Sequence, residues 1–249
     1  MKATSETETL SISLPRAELT PAQTQQMYHL LSWYFEGVTQ AQFESDLEEK
    51  NRVILLTRGP RLVGFSTLLA YETLFDHAPV SVVYSGDTIV SQEAWGSAAL
   101  SRAWIATVNE LRGAFPRGRY YWLLLTSGFR TYRFLPVFWR EFYPRFDRQT
   151  PPEHQRLLDQ LAGQRFGDRY DQRSGIVRFT QPQRLRAGLS RIPETRVSDP
   201  HVAFFAARNS AHTDGDELAC LTELGPENLT AAGRRMAAPT RFESHPHHR

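Results

Sequence analysis

Apolar positions recur along the chain at two spacings, and the spacing changes from segment to segment. Leu10-Ser11-Ile12-Ser13-Leu14 alternates with period two, which predicts a short strand with one buried face. Met27, Leu30, Leu31 and Tyr34 then share one helical face. Thr20-Pro21 offers that helix an N-cap and a first-turn proline, and Gly37 offers it a stop. Thr39 with Gln42 forms a capping box for a second helix, with Phe43 and Leu47 as its stripe. Two apolar runs, Arg52 to Thr57 and Arg61 to Leu69, flank Arg58-Gly59-Pro60 and predict a hairpin.

The stretch from Pro79 to Phe146 is the most informative. Val82-Val83-Tyr84 and Thr88-Ile89-Val90 predict a strand that runs into Ser91-Gln92-Glu93-Ala94-Trp95-Gly96-Ser97-Ala98. Leu100, Trp104, Val108 and Leu111 lie on one face of the helix that follows. Tyr120 to Leu125 predicts the next strand, and an aromatic-rich segment extends from Phe129 to Phe146. Pro136 there marks the first turn of a helix over Val137 to Phe142, or kinks a longer one. A strand feeding a small-residue turn and a helix N-terminus gathers free backbone N–H groups, which suits phosphate.

Beyond Pro151-Pro152 a short helix is expected, with Leu157, Leu158 and Leu161 inward and Gly163 at its end. Arg165 to Arg173 reads as an exposed loop. Gly175 to Phe179, His201 to Ala207 and Leu218 to Leu224 read as late strands. The element order implies a mixed, mostly antiparallel sheet flanked by helices, an α/β fold. It divides the chain into a flexible N-terminus over 1–9, a single domain over 10–230 and a disordered tail over 231–249. Within that domain a helical insertion falls near 150–174.

Composition removes several function classes. The chain has 249 residues and a net charge of +2, so nothing favours nucleic acid or a membrane surface. Its single cysteine, Cys220, excludes a disulfide framework and a cysteine zinc site. No apolar run is long enough for a bilayer span, and Met1 to Thr9 is unlike a secretory signal. A cytoplasmic protein without a metal is the expectation.

With the turn in this place, the order of elements resembles the GNAT superfamily of N-acetyltransferases. The family signature is R/Q-x-x-G-x-G/A between its fourth strand and third helix. Glu93-Ala94-Trp95-Gly96-Ser97-Ala98 fits it at the Gly and Ala positions and has Glu where Arg or Gln belongs. Gln92 stands one residue earlier. The element order covers Leu10 to Leu224, and the motif only about Ile89 to Tyr143. The resemblance implies a thioester donor, acyl-CoA or acyl-phosphopantetheine, gripped by Gln92, Gly96, Ser97 and Ala98. It also implies a thioester carbonyl held by the backbone near Ile89 or Val90, and a tyrosine acid at Tyr132 or Tyr143.

A carboxylate at the phosphates would repel them. Glu93 therefore points to solvent, or the donor is an acyl carrier protein whose phosphopantetheine has one phosphate, or donor binding has been lost. Asp87 interrupts an apolar strand and is the first candidate base, with Glu72 second. The competing reading makes Ser85-Gly86-Asp87 a bulge or turn, with the carboxylate capping backbone. Either tyrosine also fits as a packed ring, and the aromatic segment fits as core or as the wall of an apolar slot. The function expected is an N-acyltransferase that acts on a small or hydrophobic amine by direct attack. The alternative is a non-catalytic GNAT-like module that binds a small ligand or a protein.

Overall fold

The computed structural model describes residues 8–238. Its first half follows the periodicities closely. Strand β1 (Leu10–Pro15) leads to helix α1 (Pro21–Tyr34), the two-residue strand β2 (Phe35–Glu36) and helix α2 (Gln40–Glu48). Thr20 and Gln23 close a reciprocal capping box on α1, and Thr39 caps α2 by accepting from the Gln42 N–H. The hairpin β3 (Arg52–Arg58) and β4 (Arg61–Phe75) follows, and β4 turns into β5 (Ala78–Val90). Asp76 and His77, both at positive φ, make that two-residue turn.

Helix α3 (Ala99–Ala114) then crosses over to β6 (Arg119–Thr126). A Cβ at Gly118, where φ is +66°, would lie 1.6 Å from the Pro79 carbonyl oxygen, so only glycine lets β6 begin against β5. The aromatic segment holds two short helices, α4 (Phe129–Tyr132) and α5 (Phe134–Phe138), and the strand β7 (Phe142–Tyr143). The remaining elements are α6 (Pro152–Phe166), β8 (Tyr170–Asp171), β9 (Ile176–Val177), β10 (Arg184–Leu185), α7 (Glu194–Val197), α8 (Pro200–Arg208), β11 (Glu217–Glu223) and α9 (Ala231–Ala237).

The main sheet runs β1-β3-β4-β5-β6-β11-β9-β8, with β7 paired to β11. Among the described residues only the β5–β6 pair is parallel, as a helical crossover requires. Alternation along the strands sends side chains to two layers. Ile54, Leu56, Val83, Trp122 and Cys220 pack against α3, α4, α5 and α8 on one face. Val82, Leu123 and Leu221 pack against α6 on the other, where Val53 and Leu55 meet α1 and α2. The fold is thus a mixed, mostly antiparallel sheet with helices on both faces. No helix among the described residues is long and apolar enough to cross a membrane.

The later segments depart from expectation. Residues read as a strand from His201 to Ala207 form α8, because Asp199 caps the His201 and Val202 N–H groups and Pro200 begins the first turn. Val202 and Phe205, three apart, are its buried contacts. The aromatic helix lies earlier than expected, at Phe134–Phe138, and Phe142 and Tyr143 are extended. Helix α6 passes Gly163 and reaches Phe166, so the loop expected from Arg165 is partly helix and partly β8. Of Gly175 to Phe179, only Ile176 and Val177 pair as strand. Ala231–Ala237, read as the start of a disordered tail, is helix α9, capped by Thr230 on the Gly233 N–H. Most of the expected flexible N-terminus and the tail beyond residue 238 lie outside the described residues.

Candidate active site

The cleft begins where two strands part company. Strands β5 and β6 pair from Val80↔Arg119 to Ser85↔Leu124, and beyond that point they separate. The same place carries a bulge, since Ser66 pairs with Thr88 and Leu68 with Ser85, leaving Gly86 and Asp87 opposite Thr67. A bulge bends its strand and re-aims its side chains. Ser85-Gly86-Asp87 is thus a bulge, as the competing reading had it, but no backbone N–H bonds the Asp87 carboxylate among the described contacts, and the bulge falls where the β5–β6 pairing ends. A cavity of about 980 Å³ fills the gap, with Asp87, Val90, Leu125 and Ser127 among its walls.

The last paired residue is fixed from behind. The Ser85 hydroxyl accepts from Trp122 Nε1 at 2.9 Å and Trp104 Nε1 at 3.3 Å. Those two rings lie 4.2 Å apart and pack on Trp139. The bulge thus rests on a rigid aromatic block.

At the open end, the Ser91 N–H donates to the Val63 carbonyl at 2.8 Å, toward β4. Donors alternate along an extended strand, so the Val90 N–H points the other way, into the opening. The Val90 carbonyl, on that same side, accepts from Trp95 Nε1 at 2.8 Å. Of Ile89 and Val90, the second therefore offers its backbone donor to the cleft.

Past Val90 a single 3-10 turn over Gln92–Ala94 leads to α3, whose N-cap residue Ala98 gives no side-chain bond. The N–H groups of α3's first turn are free of intrahelical partners, as at any helix start. Ser97 holds one of them, accepting from the Ala99 N–H at 3.1 Å. Ile89, Val90 and Ser97 line the cleft, whereas Gln92, Gly96 and Ala98 are exposed and outside its lining, and the Gln92 N–H donates to the hydroxyl of Tyr34 at 3.1 Å. The space around Gly96 is open. Glu93 turns away from the cleft. It pairs with Arg61 and accepts from the Ser91 hydroxyl at 3.2 Å. Three arginines line this end instead: Arg130, Arg133 and Arg196. Arg130 lies 4.3 Å over the Trp95 ring and donates to the Leu189 carbonyl. The segment from Thr180 to Arg196 crosses over the opening, held to the end of α1 by the β10–β2 pair.

The other end of the cleft, on the α2 and α6 face, holds charge. Burial lifts the Asp87 carboxyl to about 6, with repulsion from Asp46 adding to this and Lys50 opposing it. Glu217, at the start of β11, is lifted to about 8, by burial first and Asp87 second. Both line the cavity. Lys50 is only 6% exposed, and burial together with Arg165 lowers its pKa. Tyr84 lies beneath Lys50 and Arg165, its hydroxyl pushed up by burial.

The remaining expected residues do not come together here. Tyr132 is fully buried among Phe142, Phe204 and Phe205, and its hydroxyl donates to the Pro144 carbonyl at 2.9 Å. Packing on those rings and the Pro144 bond keep that hydroxyl away from the cleft. Tyr143 sits on β7, bonded to Glu141 and packed on His154, in a separate hollow. Glu72 lies in the paired region, opposite Ser81, where it meets Arg117 at 3.5 Å. Of the four side chains expected to do chemistry, only Asp87 lines the cleft. Sequence reasoning missed Glu217 and Lys50. Glu217 shares a strand face with Ala219 and Leu221, so period two extended by one residue would have found it. Lys50 follows Glu48 and Glu49 and looks like part of a solvated run.

No family model and no curated protein matches the chain. Similar solved structures include an Enterococcus faecalis protein of unknown function described as a probable N-acyltransferase. It is 14% identical with a TM-score of 0.42, over 54% of this chain and 33% of that one, so the match spans about a third of it. Escherichia coli ElaA is 18% identical, with a TM-score of 0.37 over 58% of this chain and 95% of its own. A putative GNAT-family acetyltransferase from Desulfovibrio desulfuricans is 14% identical, with a TM-score of 0.39 over 55% and 91%. These likenesses concern fold alone. The strand order itself, a mixed and mostly antiparallel sheet flanked by helices with one parallel pair, β5–β6, is the fold class that the sequence resemblance implies.

Proposed function

We propose that this chain is an N-acyltransferase. It takes an acyl thioester into the β5–β6 opening and delivers the acyl group to an amine, with Asp87 as general base. The observation that carries this reading is the position of Asp87, on the bulge where β5 leaves β6. A carboxyl with a pKa of about 6 is ionised at neutral pH and still basic enough to take an amine proton.

In this reading the Val90 N–H polarises the thioester carbonyl, as a preorganised backbone donor does. The amine nitrogen attacks that carbon from the α2 and α6 face. The C–N bond forms, the amine proton passes to Asp87, and the C–S bond breaks. Glu217 is the second partner. With a pKa of about 8 it is protonated at neutral pH, so it can return a proton to the departing thiolate. Two carboxyls pushed to different pKa values by their surroundings divide naturally into base and acid. Tyr132 and Tyr143, expected in that role, are committed elsewhere.

Donor phosphates would meet the first turn of α3, with Ser97 and the arginines beside it. Free acyl-CoA suits this end better than a carrier-bound phosphopantetheine. Arg130 and Arg196 line it without a carboxylate partner among the described contacts, while Arg133 is paired with Asp199, and two free cations match several phosphates better than one. Calorimetric titration with acetyl-CoA and with CoA tests the donor site. A mass-spectrometric assay for amide product with a pool of amines tests the chemistry. The reading expects saturable donor binding and amide formation. Binding without turnover would favour the non-catalytic module, and no binding of either compound would remove the donor site.

A further inference from the structure

We infer that the acceptor is a free amino acid, held by its carboxylate on Lys50 and Arg165 while its amine meets Asp87. This rests on the acyl-transfer reading and adds the substrate class. Lys50 and Arg165 line the same cavity as Asp87 and Glu217. Both cations approach the Tyr84 ring, Lys50 at 5.7 Å and Arg165 at 4.0 Å. Lys50 also touches the bulge itself. A Cβ on Gly86 would lie 2.5 Å from its Cε and 3.4 Å from its Nζ, so the glycine makes room for the lysine beside Asp87.

Lys50 has most of its hydrogen-bonding capacity free, and Arg165 has part of it. A lysine ammonium has three donors. Among the described contacts Lys50 uses one, on the Asp46 carbonyl at 2.6 Å, and forms no ion pair. Arg165 pairs with Glu49 through one terminal nitrogen and bonds the Tyr84 hydroxyl; its Nε is sealed, so its remaining terminal N–H groups are the ones open to an anion. Buried donors left unmet are costly, and more so when charged. Two like charges against one ring add repulsion, which is consistent with the lowered Lys50 pKa. An anion placed there would relieve both.

That anion is small and singly charged. Asp46, Glu49 and Asp87 stand around the same two cations and repel a dianion such as phosphate about twice as strongly as a single carboxylate, which direct bonds to the two cations can offset. A carboxylate meets the need. Because the second pole, Asp87 with Glu217, lies on the same face, one molecule carrying both an amine and a carboxylate satisfies the two together. Phe166 and Phe179 also line this end, the first edge-on to Tyr84 at 5.9 Å, and they suit an apolar side chain.

The test uses acceptors that share a side chain and vary the acid, with rates compared per free amine: phenylalanine and leucine, their amides, and the decarboxylated amines. Acetyl transfer from acetyl-CoA to each is measured with wild-type protein and with Lys50→Met. The inference expects the free acids to be favoured in kcat/KM by roughly tenfold or more, the size of a charge-assisted hydrogen bond. In Lys50→Met that preference should shrink through KM. Calorimetric titration of phenylalanine into CoA-saturated wild-type protein should show binding, with the amide weaker. Equal or better use of the amides, equal loss for all acceptors in the variant, or no phenylalanine binding to CoA-loaded protein overturns it. Failure of CoA itself to bind would instead overturn the acyl-transfer reading.

Discussion

The β5–β6 pair has two ends that solve opposite problems. From Val80 to Ser85 the strands are zipped, and Trp104, Trp122 and Trp139 interlock beside them, the first two donating to the Ser85 hydroxyl and Trp139 holding its place by ring packing alone. From Gly86 to Val90 the pairing stops, and the side chains facing the gap are charged groups with few partners. The closed end is held by dense aromatic packing, while the open end keeps Lys50 and two carboxyls, of which Glu217 holds its proton at neutral pH and Asp87 does not. Proteins store such local cost at working sites and offset it with packing elsewhere. The difference between the ends teaches that the site is the unsatisfied half of a single strand pair.

The largest effects should separate the halves cleanly. Asp87→Asn should lower acyl transfer by about 10²- to 10⁴-fold, the usual contribution of a general base, in single-turnover assays, with the circular dichroism unchanged. Trp139→Ala should do the reverse, destabilising the fold by about 3–5 kcal/mol in denaturant titrations. If Asp87→Asn instead lowered stability most, the open end would be structural and the comparison would break.

A pH effect of intermediate size sharpens the contrast. Asp87 and Glu217 bind protons more tightly in the fold than in the unfolded chain. Their stabilising contribution is therefore full at low pH and is lost as pH rises from about 4 to about 8. Replacing both with the neutral amides should raise the melting temperature at pH 8 relative to wild type and change it little at pH 5. A lower melting temperature at pH 8 would mean that the ionised carboxyls are well paired.

The smallest effect concerns Glu93. Its charge is taken up by Arg61 on the outer side of the turn, so Glu93→Gln should change CoA affinity by no more than about twofold, since exposed pairs contribute little. A tenfold gain would place the carboxylate at the phosphates.

How much of this was legible depends on the kind of signal. The paired half was readable because alternation along Val82-Val83-Tyr84 and Tyr120 to Leu125 and the face of α3 are local patterns. The turn was readable as a helix start, and its misfitting Glu93 as an anomaly, but only the fold brings Arg61 to it. Asp87 was found as a charge in an apolar strand. Lys50 and Glu217 were not, because their burial is created by elements far away in sequence: α6 brings Arg165, and β11 joins the sheet beyond β6. Tyr132 misled because the rings that bury it, Phe142, Phe204 and Phe205, belong to β7 and α8, which local sequence does not bring to it. Helix α8 was missed because His201 to Ala207 is apolar nearly throughout, and its Asp199-Pro200 start signal went unweighed.

The most direct test of the central claim is the pH dependence of amide formation from acetyl-CoA, for wild type and Asp87→Asn. The account predicts a bell with limbs near pH 6 and near pH 8, and loss of both the rate and the acid limb in the variant. Wild-type turnover with an unchanged acid limb in Asp87→Asn would contradict it.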